Sequence, residues 1–94
     1  MDNLVTEEKL KKYFSITKEA LDMARDKFDK DRLNEAEDFF DMASRYYSDA
    51  QHFEKQQNLV LAFAALNYAH GWLDAGARIG LFKVKDSRLF TVDD

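Results

Sequence analysis

The sequence predicts an all-α protein, an up-and-down antiparallel three-helix bundle that closes with a short C-terminal tail. Three observations carry that prediction. The 94 residues contain no proline and only three glycines, so little in the composition interrupts long helices. Apolar side chains recur at helical spacing in three stretches, and each stretch loses phase before the next begins. With 46% hydrophobic and 34% charged residues, the chain has the balance of a folded domain and not of a disordered one. A chain of 94 residues supports one core, so a single domain over residues 1–94 is expected.

The first helix is expected over residues 6–28. Leu10, Tyr13, Phe14, Thr17, Ala20, Leu21, Ala24 and Phe28 share one arc of its wheel, with Lys, Glu and Asp on the other side. Thr6 before Glu7 and Glu8 reads as an N-cap with acids in the first turn, which suits the helix dipole. The charged run Asp29-Lys30-Asp31-Arg32 then reads as a turn. A second helix over residues 32–54 follows, striped by Leu33, Ala36, Phe39, Phe40, Ala43, Tyr46, Tyr47, Ala50 and Phe53. Glu54 to Asn58 holds no apolar residue, so a short connection is expected, with Asn58 as N-cap of a third helix; one continuous bent helix is the alternative.

The third helix, residues 58–80, is apolar or small around most of its wheel. Leu59, Phe63, Leu66, Leu73 and Ala77 form one side, and Leu61, Tyr68, Trp72, Ala75 and Ile79 the far side. Asn67, Asp74 and Arg78 make a narrow polar seam. A helix of this kind is buried on more than one side. The edge of Ala62, Ala65, Ala69, Gly76 and Gly80 lets a neighbouring backbone approach, and Gly80 suits the left-handed residue that ends a helix. In the tail, 82–94, Leu89, Phe90 and Val92 suggest an extended piece packed on the bundle; a frayed terminus is the other reading.

Several function classes are disfavoured. The absence of cysteine removes disulfides and thiol chemistry and fits a reducing compartment, so a cytoplasmic location is expected. The N-terminal residues lack the layout of a signal peptide, and the richest apolar run, Leu59 to Ala69, is too short for a membrane span. A net charge of −4 disfavours nucleic acid, and the basic group Arg78, Lys83, Lys85 and Arg88 is interrupted by Asp86. Its simpler role is to complement a helix C-terminus and keep the tail soluble.

No serine stands beside a base in a nucleophile motif, and the three glycines match no phosphate-binding loop. The expectation is a protein that is not an enzyme, with no catalytic residue and no cofactor. Metal binding is not expected either: there are only two histidines, and Asp49-x-x-His52 faces away from the core stripe of its helix.

Two constellations remain. His70, Asp74 and Arg78 follow one another at four-residue spacing along one edge of the third helix. In the functional reading Asp74 orients His70 and pairs with Arg78, which gives a site for a small anionic or phosphorylated ligand. In the structural reading Asp74 and Arg78 form an intrahelical ion pair while His70 is packed and hydrogen-bonded. The second constellation is the arc of Leu61, Tyr68, Trp72 and Ile79, which two partner helices cannot cover. Tyr and Trp are enriched where proteins meet, so self-association, as in a homodimer, or a protein partner is expected; the alternative is that the tail folds over the arc.

The segment Tyr68-Ala69-His70-Gly71-Trp72-Leu73-Asp74-Ala75-Gly76-Ala77-Arg78-Ile79-Gly80-Leu81-Phe82, followed by Asp86-Ser87-Arg88-Leu89-Phe90, resembles the signature of the archaeal domain of unknown function 357 family. That resemblance implies a three-helix bundle and an archaeal source. It brings no activity, ligand or catalytic residue with it.

Overall fold

A computed structural model, which describes residues 5–92, places three helices along the apolar stripes: α1 (Glu7–Ala24), α2 (Leu33–Lys55) and α3 (Leu59–Arg78). The protein is an all-α three-helix bundle, 43 × 25 × 17 Å in extent. Side-chain caps start two of the helices. Thr6 Oγ1 accepts from the Lys9 amide at 3.1 Å, and Asn58 Oδ1 from the Leu61 amide at 3.1 Å. Each cap satisfies an amide that the helix itself leaves orphaned, a contribution of about 1 kcal/mol. The break before α3 is therefore a true turn: Gln57 takes the left-handed conformation (φ 60°), and the amides of Gln57 and Asn58 close back on the carbonyls of Glu54 and Phe53.

The α2–α3 hairpin is the backbone of the fold, because small residues let its two helices approach closely. Ala36, Ala43 and Ala50 recur every seven residues on α2, and Ala62, Ala69 and Gly76 do so on α3; all six are buried. Antiparallel pairing sets Ala50 level with Ala62, Ala43 with Ala69 and Ala36 with Gly76. Aromatic pairs flank this seam, with Tyr46 stacked on Tyr68 at 5.1 Å and Phe39 meeting Trp72 edge to face at 5.0 Å. α1 lies over the other side of the hairpin, where Tyr13 meets Phe63 and Phe14 meets Tyr47. Tyr47 joins the core's two clusters, and burial pushes its phenol above the ordinary value.

Helix α1 ends at Ala24, short of the expected residue 28. The cause is Phe28, which leaves the helical path to face Phe82 in an isolated antiparallel bridge: Asp29 N donates to Leu81 O at 2.8 Å and Lys83 N to Lys27 O at 2.7 Å. The Phe28 ring then packs between those of Phe40 and Phe82. Between bridge and α2, residues Lys30–Arg32 form one 3-10 turn, which Asp29 caps while also accepting from Arg32 Nε at 2.9 Å.

The tail is integral to the core. α3 ends at Arg78, two residues short of the expected end, and the turn beyond it runs through Gly80 (φ 79°), with the amides of Gly80 and Leu81 returning to the carbonyls of Ala77 and Gly76. The chain doubles back so tightly that the Phe82 ring occupies the place a side chain at position 76 would take. Leu81, Phe82, Val84, Leu89 and Phe90 are all buried, so the frayed-terminus reading does not hold through Phe90. The last two residues, 93–94, lie outside the described residues.

Candidate functional site

The polar edge of α3 is the first candidate. His70 is half-buried between α1 and the tail. Its Nε2 lies 2.6 Å from the Leu89 carbonyl, and its Nδ1 lies 3.2 Å from Thr17 Oγ1. A carbonyl only accepts, so Nε2 carries a proton and donates to the Leu89 carbonyl, and Nδ1 shares a hydrogen bond with the Thr17 hydroxyl. Thr17, at 1% exposure, is the buried polar side chain of the α1 core face. Both ring nitrogens are thus committed to holding three segments together. Neither contact expected of Asp74 forms among the described residues. Its Oδ1 accepts from the Thr91 amide at 2.8 Å, on the tail, so it neither orients His70 nor pairs with Arg78. Arg78, exposed in the last turn of α3, makes no ion pair among the described residues.

A further clamp is not legible in the sequence, where Arg88 reads as one of the basic residues that complement a helix C-terminus and keep the tail soluble. Arg88 forms an ion pair with Glu19 of α1, and Asp86 lies beside it. The hydrogen bond from Arg88 holds the Glu19 carboxyl below its ordinary range, against a smaller opposing effect of desolvation. Asp86 also caps the turn that follows it, accepting from the Arg88 amide at 2.9 Å. A cavity of about 430 Å³ opens where these groups meet, lined by His70, Asp74, Arg78, Ser87, Arg88 and residues 89–92.

The second candidate is the face of the α2–α3 hairpin turned away from α1. Here Leu61 is 45% exposed, Tyr68 62% and Ile79 52%. Trp72 differs from the other three expected interface residues: it is half-buried, braced by Phe39, and forms the floor of a groove more than part of a free arc. The groove, about 710 Å³, is lined by Phe39, Ala64, Asn67, Tyr68, Gly71, Trp72 and Ala75. The tail, as far as residue 92, lies along the His70 flank and leaves this face uncovered.

Residues 12–82 match the family described as Protein of unknown function (DUF357). The chain belongs to the DUF357 family. No curated protein and no solved structure matches it. The matched span of this DUF357 chain takes in most of α1, all of α2 and α3, and the Phe82 ring that closes over Gly76. It ends before Asp86–Phe90, so the turn that carries Arg88 and Leu89 lies beyond it.

Among the described residues of this DUF357 chain, no three His, Asp or Glu side chains stand close enough to hold a metal ion, and His52 is exposed on α2. No helix among them is long and apolar enough to cross a membrane. Of the groove residues, the sequence places Phe39 in the stripe of the second helix and Asn67 in the polar seam, and it assigns Ala64 and Gly71 to no face at all. Their signal was present, since both fall on the same side of α3 as Tyr68. Small side chains on a mostly apolar helix read as packing surface, and nothing in the sequence said which small residues would meet a neighbour. In the structure no atom lies within 4 Å of where a side chain at Gly71 would begin.

Proposed function

We propose that this DUF357 chain is a non-catalytic protein-interaction module, acting in the cytoplasm, whose docking surface is the exposed face of the α2–α3 hairpin. The observation that carries this reading is the exposure of Leu61, Tyr68 and Ile79 around an apolar groove while the tail packs on another flank. Apolar side chains gathered on one face of a soluble domain favour contact with another protein, and aromatic residues at the centre of such a patch contribute most. Replacing Tyr68 or Leu61 by Asp tests it. Leu61 projects outward and Tyr68 is held in the bundle only by its stacking on Tyr46, so both variants keep their helical content, while association measured by light scattering or by retention of a bound protein is lost. Unchanged association in both variants contradicts the reading.

A second reading, recognition of a small anionic or phosphorylated ligand at the His70, Asp74 and Arg78 edge, is supported by Arg78, which lines the cavity and makes no ion pair among the described residues. It is the weaker of the two, because His70 and Asp74 already hold the tail. Inorganic phosphate then raises the melting temperature of the wild type and not of Arg78→Ala. A shift absent from both removes this reading.

A further inference from the structure

We infer that the occupant of the α2–α3 face is a second copy of this chain, related by a twofold axis parallel to the helices, so that α2 of each copy lies on α3 of the other. The inference rests on the interaction-module reading above and adds to it the identity and orientation of the partner. Its basis is the distribution of charge at one end of the face. Glu35 lies one turn before Phe39 on the groove side of α2, and Asp38 lies one turn before Met42; both are exposed and neither makes an ion pair among the described residues. On the opposite rim, in the last turn of α3 and near the level of Glu35, stands Arg78, also unpaired among the described residues.

Acids on one rim and a cation on the other, at the same end and without ion pairs among the described residues, make the face complementary to itself. Rotation by half a turn about the long axis sets Arg78 of each copy against Glu35 and Asp38 of the other, and the symmetry makes the pairing twice over. Reversing the second copy end for end instead brings Glu35 toward the turn end of the hairpin, where the exposed rim charge is Asp49, another acid. The face reaches the lower end of the size a stable interface needs. α3 is about 30 Å long, and two helices side by side are about 20 Å wide, so it covers on the order of 600 Å², close to the roughly 800 Å² per partner of a stable interface. Gly71 fits the same picture. The bundle makes no use of its missing side chain, yet a glycine in mid-helix is unfavourable relative to alanine; a helix seated in the groove would use the space.

Sedimentation velocity of the full chain across the micromolar range tests the inference, with helical content checked by circular dichroism. The expected result is a dimer that Tyr68→Asp converts to monomer. Arg78→Glu weakens it by about tenfold in dissociation constant, and adding Glu35→Arg with Asp38→Arg to Arg78→Glu restores it. A wild type that stays monomeric overturns the second copy as occupant. If Tyr68→Asp nevertheless abolishes retention of a different protein, the docking face itself survives. A dimer lost in Tyr68→Asp but indifferent to both charge reversals overturns the twofold arrangement alone. A dimer indifferent to Tyr68→Asp overturns this inference and the interaction-module reading together.

Discussion

Gly71 and Gly76 stand five residues apart on α3 and meet opposite surroundings. At Gly76 the Phe82 ring fills the place of a side chain; at Gly71 that place is open. Gly76→Ala therefore forces Phe82 to shift within a packed core and is expected to destabilise the fold by about 1–3 kcal/mol. Within the single bundle Gly71→Ala relieves a helix-interior glycine without a clash, and at concentrations where the protein is monomeric it is expected to stabilise the fold by about 0.5–1 kcal/mol. Urea unfolding of the two variants checks both signs; equal effects would show that the tail does not close over α3 as described. The sequence offered no means of telling the two glycines apart, because both sit on one nearly all-apolar helix and the difference is made by a ring six residues beyond Gly76. The same limit applies to His70 and Asp74. Their position on one edge of α3 was legible, but the partners they bind, Thr17, Leu89 and Thr91, come from segments that periodicity cannot place together.

At the scale of elements, what could be read from the chain was local. The Thr6 and Asn58 caps, the Gly80 terminus and the three apolar stripes depend on residues within a turn or two of one another. The early end of α1 depends on Phe82, more than fifty positions away, and so the stripe through Phe28 read as helix. The tail shows how such distant contacts set stability. Because Arg88 depresses the Glu19 pKa in the folded state, this ion pair stabilises the protein above the ordinary carboxylate range, and the contribution is lost as pH falls through the folded-state pKa. Arg88→Ala should accordingly melt below wild type at neutral pH, and the gap should narrow in acid, as pH falls below the ordinary carboxylate range and Glu19 takes up its proton. Thermal scans at neutral and acidic pH decide it, and a gap that persists in acid means that Arg88 acts through packing and not through Glu19.

The whole molecule is an alanine-seamed hairpin with unlike sides. One side is covered by α1 and sealed along its edge by a tail that His70, Asp74 and Arg88 hold down; the other keeps an apolar groove open between Phe39, Tyr68 and Trp72. Surplus apolar surface on α3 was evident from its composition alone, whereas the choice of which flank the tail would cover was not, since Leu89 and Phe90 are equally apolar against either. The chain's single tryptophan is Trp72, in the floor of that groove, so its fluorescence reports directly on whether the face is occupied. Emission recorded as the purified protein is diluted through the micromolar range should shift to longer wavelength as the groove becomes wet, reaching the spectrum that Tyr68→Asp shows at every concentration. A spectrum that is independent of concentration and identical in wild type and Tyr68→Asp would contradict docking of a second copy on this face.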